Sequence, residues 1–211
     1  MDFAYDFFKC IVLSYSSTEL VYNARFGPFP AGVIRLSFEE VNGIYKITCI
    51  QRTSEGISHI YRVNDRYEVW IDTTYKPLLY EAWIEEGRYK RHRKIAFYHY
   101  RGFAIYNDRD TVELSSDARE IFSLIYYIRT LSPSPGDTLV LMLHDGKRNR
   151  EIAVPVSEEK IGDETYLVIT PFVEGMKVFG GQGLTLYYNS DMIPSVLYVD
   201  LKFGHIKAIK R

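Results

Sequence analysis

The feature that most constrains this chain is a two-residue hydrophobic period that persists along nearly its whole length and is cut at short intervals by turn residues. Such alternation puts successive side chains on opposite faces of a sheet. Leu20, Tyr22, Ala24 and Phe26 fall on one face, and Glu19, Val21, Asn23 and Arg25 on the other. Beyond Gly27-Pro28-Phe29-Pro30 the alternation resumes at Ile34, Leu36 and Phe38, and Asn42-Gly43 then supplies a hairpin signal before a strand over Tyr45–Gln51. Further strands are predicted at Ser58–Val63, Arg66–Asp72, Leu78–Glu85, Tyr89–Tyr100, Phe103–Tyr106 and Thr111–Leu114. Turns at Asn64-Asp65, Glu86-Gly87 and Arg101-Gly102 separate them. Strands joined this tightly must be antiparallel, because a parallel crossover needs roughly a dozen residues or more.

One segment changes period. From Asp117 to Arg129 the apolar residues Ile121, Leu124, Ile125 and Ile128 form a helical stripe, with Asp117 read as N-cap and Glu120 as its capping-box partner. Phe122, Tyr126 and Tyr127 widen that stripe, so the helix is expected to be buried. Each stripe residue then contributes roughly 1.5–3 kcal/mol before entropy costs. After Ser132-Pro133-Ser134-Pro135-Gly136 the strand pattern returns at Leu139–Leu143, Ile152–Val156, Tyr166–Thr170, Lys177–Phe179, Leu184–Tyr188, Ser195–Leu201 and His205–Ile209. The expected fold is mainly β: one large, curved antiparallel sheet of about a dozen strands, a half-barrel or open barrel with the helix at about 117–130 on its concave side. Residues 1–17 read as an N-terminal segment with a short helix, and 18–211 as a single β-rich domain. A two-domain division near Pro133 is disfavoured because half a sheet would leave the helix without a full partner surface.

Composition narrows the function classes. With 26 Lys+Arg against 27 Asp+Glu the net charge is −1, which lacks the basic excess of a nucleic-acid-binding chain. Aromatics reach 15%, with 18 Tyr and 12 Phe, more than a core of this size requires, and so suit half-buried sheet faces or a broad binding surface. Cys10 and Cys49 are too few for a disulfide scaffold. No apolar run approaches the roughly 20 residues of a spanning helix, and no export signal is visible. A transmembrane barrel is disfavoured by charges on both strand faces, as at Lys90, Arg91, Arg93 and Lys94.

Other motifs have ordinary explanations. The Lys90-Arg91-His92-Arg93-Lys94 run splits between two faces of a strand and reads as solvated or edge-protecting. His59, His92, His99, His144 and His205 lack metal-ligand spacing, so no metal and no cofactor is expected. The adjacent pairs Glu39-Glu40, Glu85-Glu86 and Glu158-Glu159 point apart on strands, and Gly180-Gly181-Gln182-Gly183 reads as a bulge or turn. No nucleophile elbow is present, so an enzyme is not expected and no catalytic residue is assigned.

In order along the chain, several pieces resemble the bacterial family known as domain of unknown function 3108. Glu19-Leu20, Tyr22, Gly27 and Ala31-Gly32 resemble its first strand and corner. Phe122-Ser123-Leu124-Ile125-Tyr126-Tyr127-Ile128-Arg129 is similar to its Ser-x-x-Tyr-Tyr-x-Arg helix. Gly136-Asp137, Asp145-Gly146-Lys147, Pro171, Asp191-x-x-Pro194 and Gly204 match its later landmarks. The resemblance spans roughly residues 18 to 208. It implies an exported protein of the periplasm or cell envelope with no assigned activity, built on a plan like the half-barrels of periplasmic lipoprotein carriers. One expectation is therefore a module that binds a lipid or other apolar ligand in the concave face, lined by Tyr22, Phe26, Leu36 and Phe38 and lidded by Phe122 and Ile125. The other is a structural or interaction module with a filled interior that meets an envelope protein or glycan.

Overall fold

Side-chain alternation becomes strand pairing along most of the chain. The computed structural model describes residues 18–59, 62–171, 183–202 and 204–211. Their strands are β1 (Thr18–Phe26), β2 (Phe29–Val41), β3 (Ile44–Thr53), β4 (Asn64–Ile71), β5 (Pro77–Glu86), β6 (Tyr89–Tyr98), β7 (Phe103–Tyr106) and β8 (Asp110–Glu113). After the long helix come β9 (Thr138–Asp145), β10 (Arg148–Ile161), β11 (Glu164–Ile169), β12 (Gly183–Tyr188), β13 (Pro194–Leu201) and β14 (Gly204–Lys210). Two α-helices join them, α1 (Glu55–Ser58) and α2 (Ile121–Leu131). All strands belong to one 14-stranded sheet in the order β8-β7-β6-β5-β4-β3-β2-β1-β14-β13-β12-β11-β10-β9. The first and last strands pair with each other, Tyr22 opposite Lys210 and Phe26 opposite Ile206, so the sheet's middle is built from the two ends of the described chain.

The turn chemistry is local where the sequence marks it. Asn42 and Gly43 adopt φ of 54° and 80°, the pair of left-handed conformations that a two-residue hairpin needs, and Val41 closes directly on Ile44. Gly43→Ala, which puts a Cβ into that conformation, is expected to lower stability by about 1 kcal/mol in urea titration. An unchanged midpoint would show that the turn relaxes.

One face of the sheet is apolar and wraps the core. Leu20, Tyr22, Leu36, Ile47, Cys49, Val69, Leu184, Leu186, Tyr188 and Val199 are buried there together with Phe122, Leu124, Ile125 and Ile128 of α2. The helix therefore lies within the curved sheet. Tyr188 Oη donates to the Ile125 carbonyl at 3.0 Å, and Tyr22 Oη to the Pro194 carbonyl at 2.6 Å, so each phenol spends its hydroxyl inside the core. Phe38 stacks on Tyr126 with ring centroids 4.5 Å apart and on Tyr45 at 4.9 Å.

The helix starts later than its periodicity implies. Glu120, not Asp117, is the N-cap: its carboxylate accepts from Phe122 N at 2.9 Å and Ser123 N at 2.6 Å. Asp117 instead pairs with Lys76 across 3.0 Å. The residue just before the cap straps one edge of the sheet, at the seam where its two edges face each other. Arg119 N donates to Met142 O, and His144 N to Arg119 O, so one residue occupies the exposed ladder of edge strand β9. Facing strands reinforce the seam through Tyr106 Oη and His144 Nε2 at 2.9 Å and Asn149 Nδ2 to Glu113 O at 3.2 Å.

Three expectations change. The predicted strand at Ser58–Val63 gives way to α1 and an isolated bridge from Val63 to Glu86, with residues 60–61 outside the described set. Asn64 and Asp65 form no turn; they pair in β4 opposite Arg52 and Gln51. Tyr89–Tyr100 stops at Tyr98, where a 3-10 turn takes over. The N-terminal segment 1–17 with Cys10, the strand at Lys177–Phe179 and most of the Gly180–Gly183 stretch lie outside the described residues. The basic run sits on β6 where only β5 pairs with it, and Lys90, His92 and Lys94 reach Glu85, Glu81 and Asp108.

Candidate functional site

Beside the packed core, the curved sheet leaves an apolar hollow of about 510 Å³, half open to solvent. Alternation on four strands builds it: Ala24 and Phe26 from β1, Ile34 from β2, Val199 and Leu201 from β13, and Ile206 from β14. Ile57 of α1 supplies another wall, and α2 supplies none. The volume lies within the about 300–1,000 Å³ typical of small-molecule sites. Gly32 borders it because β2 and β3 approach so closely there that a Cβ would run into the Arg52 backbone carbonyl.

A small polar set interrupts the apolar wall. Gln51 stands on the inward face of β3 in sequence with Ile47 and Cys49, 8% exposed, and lines the hollow. Its Nε2 is directed at Cys49 Sγ, 3.9 Å away, while its Oε1 has no partner among the described residues. Glu86 lines the hollow from the end of β5. Behind it Asp65, 2% exposed and opposite Gln51, accepts from Glu85 N at 2.8 Å and from Tyr67 Oη at 3.2 Å, and lies within hydrogen-bonding reach of the Glu86 carboxyl. Burial raises the Asp65 carboxyl above the usual carboxylate range, against those hydrogen bonds. Burial likewise pushes the Cys49 thiol up to about 12, so it is an inert core thiol and not a nucleophile.

The six residues singled out for ligand binding divide. Phe26, 40% exposed, lines the hollow. Tyr22, Leu36, Phe122 and Ile125 are between 0% and 4% exposed and join helix to sheet in the core, and Phe38 is taken up by its ring stack with Tyr126 and Tyr45. Sequence reasoning missed the walls from β13 and β14, and it missed Gln51. An amide on an otherwise apolar strand face was the signal for the latter.

A second depression, also about 510 Å³, is lined by Arg66, Trp83, Lys90, Arg91 and His92. Trp83 is 39% exposed and stacks on His92 at 5.2 Å. Near the seam, Tyr80, Arg93, Tyr106, Glu120 and His144 surround a polar space of about 70 Å³, room for water and little else. Among the described residues no cluster of three or more His, Cys, Asp or Glu could hold a metal ion. Among them, too, no helix is long and apolar enough to cross a membrane.

The fold has solved relatives. A β-barrel-like protein of the domain of unknown function DUF1849 from Brucella abortus superposes with a TM-score of 0.63, covering 92% of this chain and 95% of its own at 9% identity. At that identity the likeness concerns the fold alone. A DUF1089 family protein from Pseudomonas aeruginosa is more distant, with a TM-score of 0.45, 11% identity and coverage of 86% and 89%. No curated protein matches the sequence. Residues 21–210 match the family described as protein of unknown function DUF3108, and this open 14-stranded sheet belongs to it.

Proposed function

We propose that this chain is a non-enzymatic, ligand-binding module of the bacterial cell envelope that shelters an apolar molecule in the hollow of its curved sheet. The observation that carries the reading is the hollow itself: a half-open space walled by Phe26, Ile34, Val199, Leu201 and Ile206 that the helix leaves unfilled. Its driving force is removal of apolar surface from water, about 0.8 kcal/mol gross for each methylene taken in. The envelope location rests on the family resemblance, and fractionation of the source cells tests it.

Organic extraction and native mass spectrometry of gently purified protein are expected to show a co-purifying apolar molecule, and the neutral dye N-phenylnaphthylamine is expected to brighten on binding. Leu201→Glu, which places a charge on the partly exposed rim of the hollow, is expected to weaken the dye about tenfold or more while leaving the circular-dichroism spectrum unchanged. Protein that releases nothing and leaves the dye dark removes the reading.

The depression around Trp83 favours a second reading, an interaction module that meets a protein or glycan partner through a flat aromatic ring set among cations. Trp83→Ala separates the two, since it would abolish partner capture without altering dye binding.

A further inference from the structure

The hollow is apolar on most of its surface but not indifferent to the end of the molecule it holds. Its inner polar atom is Gln51 Oε1, an acceptor without a partner among the described residues on a side chain 8% exposed. That atom borders the solvent-filled hollow, so a donor arriving there replaces water at an acceptor that no described residue uses. Glu86 lines the same hollow, and the Asp65 carboxyl stands behind it. The two are hydrogen-bonded to each other and so share a proton, and the charge left on the pair opposes the approach of an anionic head.

Arg52 also borders the hollow, but its side chain alternates away from Gln51 to the outer face of β3. There its Nε donates to Asn64 Oδ1 at 3.2 Å. Its guanidinium thus belongs to the other side of the sheet, and what it lends the hollow is backbone beside Gly32. The polar corner presents acceptors and negative charge.

We infer that the preferred ligand is an amphiphile with a hydrogen-bond-donating head, a primary ammonium above all, seated against Gln51 and Glu86 with its tail along Phe26, Val199 and Ile206. This rests on the apolar-ligand reading and adds a head-group class to it. A fatty carboxylate, the commonest amphiphile of similar tail, is the molecule the site disfavours. A hydroxyl head, donor but uncharged, falls between.

The test compares three probes of identical tail, decylamine, decanol and decanoate, each below its micellar concentration near neutral pH, as competitors of bound N-phenylnaphthylamine. Decylamine is expected to displace the dye at about one tenth of the decanoate concentration or less, with decanol between. Glu86→Gln is expected to bring the amine and acid within about threefold of each other while leaving decanol unchanged. Gln51→Leu is expected to weaken amine and alcohol together by about tenfold relative to the dye measured on the same variant. If the dye binds but decanoate competes as well as decylamine on the unmodified protein, the head-group inference is overturned and the apolar-ligand reading survives. If dye and probes all fail to bind, both fall.

Discussion

Leu124→Ala is expected to lower the unfolding free energy by about 2–5 kcal/mol, the range for a buried leucine cut back where its surroundings cannot collapse. Leu124 is 1% exposed on α2, within the cluster that joins the helix to both halves of the sheet. The removed atoms lose their transfer free energy, and the space they leave lies inside the core cluster between helix and sheet. For a chain of this length the loss corresponds to a melting temperature lower by about 5–15 °C. Val140→Ala is the matched control: Val140 is 65% exposed on β9, and its truncation is expected to change stability by less than about 0.5 kcal/mol. Urea unfolding followed by circular dichroism reads both. A cost for Leu124→Ala as small as that of the control would mean that the helix does not fill the trough, and the division of the interior into a packed part and a hollow would lose its basis.

That division marks how far the sequence speaks. Alternation reports which face a residue occupies, so Leu20, Tyr22 and Leu36 were legible as sharing the inner face and the α2 stripe as buried, and Asn42-Gly43 was legible as a turn because its chemistry is confined to two residues. Alternation does not report which strands become neighbours. The hollow's walls depend on β1 pairing with β14, a contact between opposite ends of the chain that no local pattern encodes, so Val199, Leu201 and Ile206 could not be placed beside Phe26. Phe122 and Ile125 were legible as buried but not as consumed by packing.

The misread segments share a cause. Asn64-Asp65 carries turn-forming residue types, yet Asp65 is held in β4 because its carboxyl finds Glu85 N and Tyr67 Oη inside the sheet. Asp117 is by type the better N-cap of the two, yet Glu120 is the one used. Glu120 takes the position because Arg119 is fixed one residue earlier as the strap along β9, and a helix cannot begin before the strap ends. In both places tertiary hydrogen bonding overrode a local preference that was correctly identified.

The same cap makes stability depend on pH in a calculable direction. Glu120 is 5% exposed, and burial pushes its carboxyl up to about 7 although Phe122 N and Ser123 N both donate to it. In the unfolded chain the group returns to about 4.3. Between those values the folded state holds a proton that the unfolded state has released, so this contribution is full below the unfolded value and lost as pH rises through about 7. The full span corresponds to about 4 kcal/mol, of which about 3 falls between about pH 5 and about pH 8. Asp65, also raised by burial, acts in the same direction, whereas His99 and His144, lowered by burial, favour folding as pH rises toward their ordinary range. Total stability therefore sums opposing slopes, and the Glu120 part has to be read as a difference. Glu120→Gln imitates the protonated carboxyl, so the variant is expected to lie near or slightly below the parent at about pH 5 and to gain on it by about 3 kcal/mol by about pH 8. Urea titrations of both proteins across that interval measure the gap directly. Parallel curves would mean that the carboxyl ionises in the fold as it does in water, and that the N–H donors of α2, and not burial, govern the charge held beside the Arg119 strap.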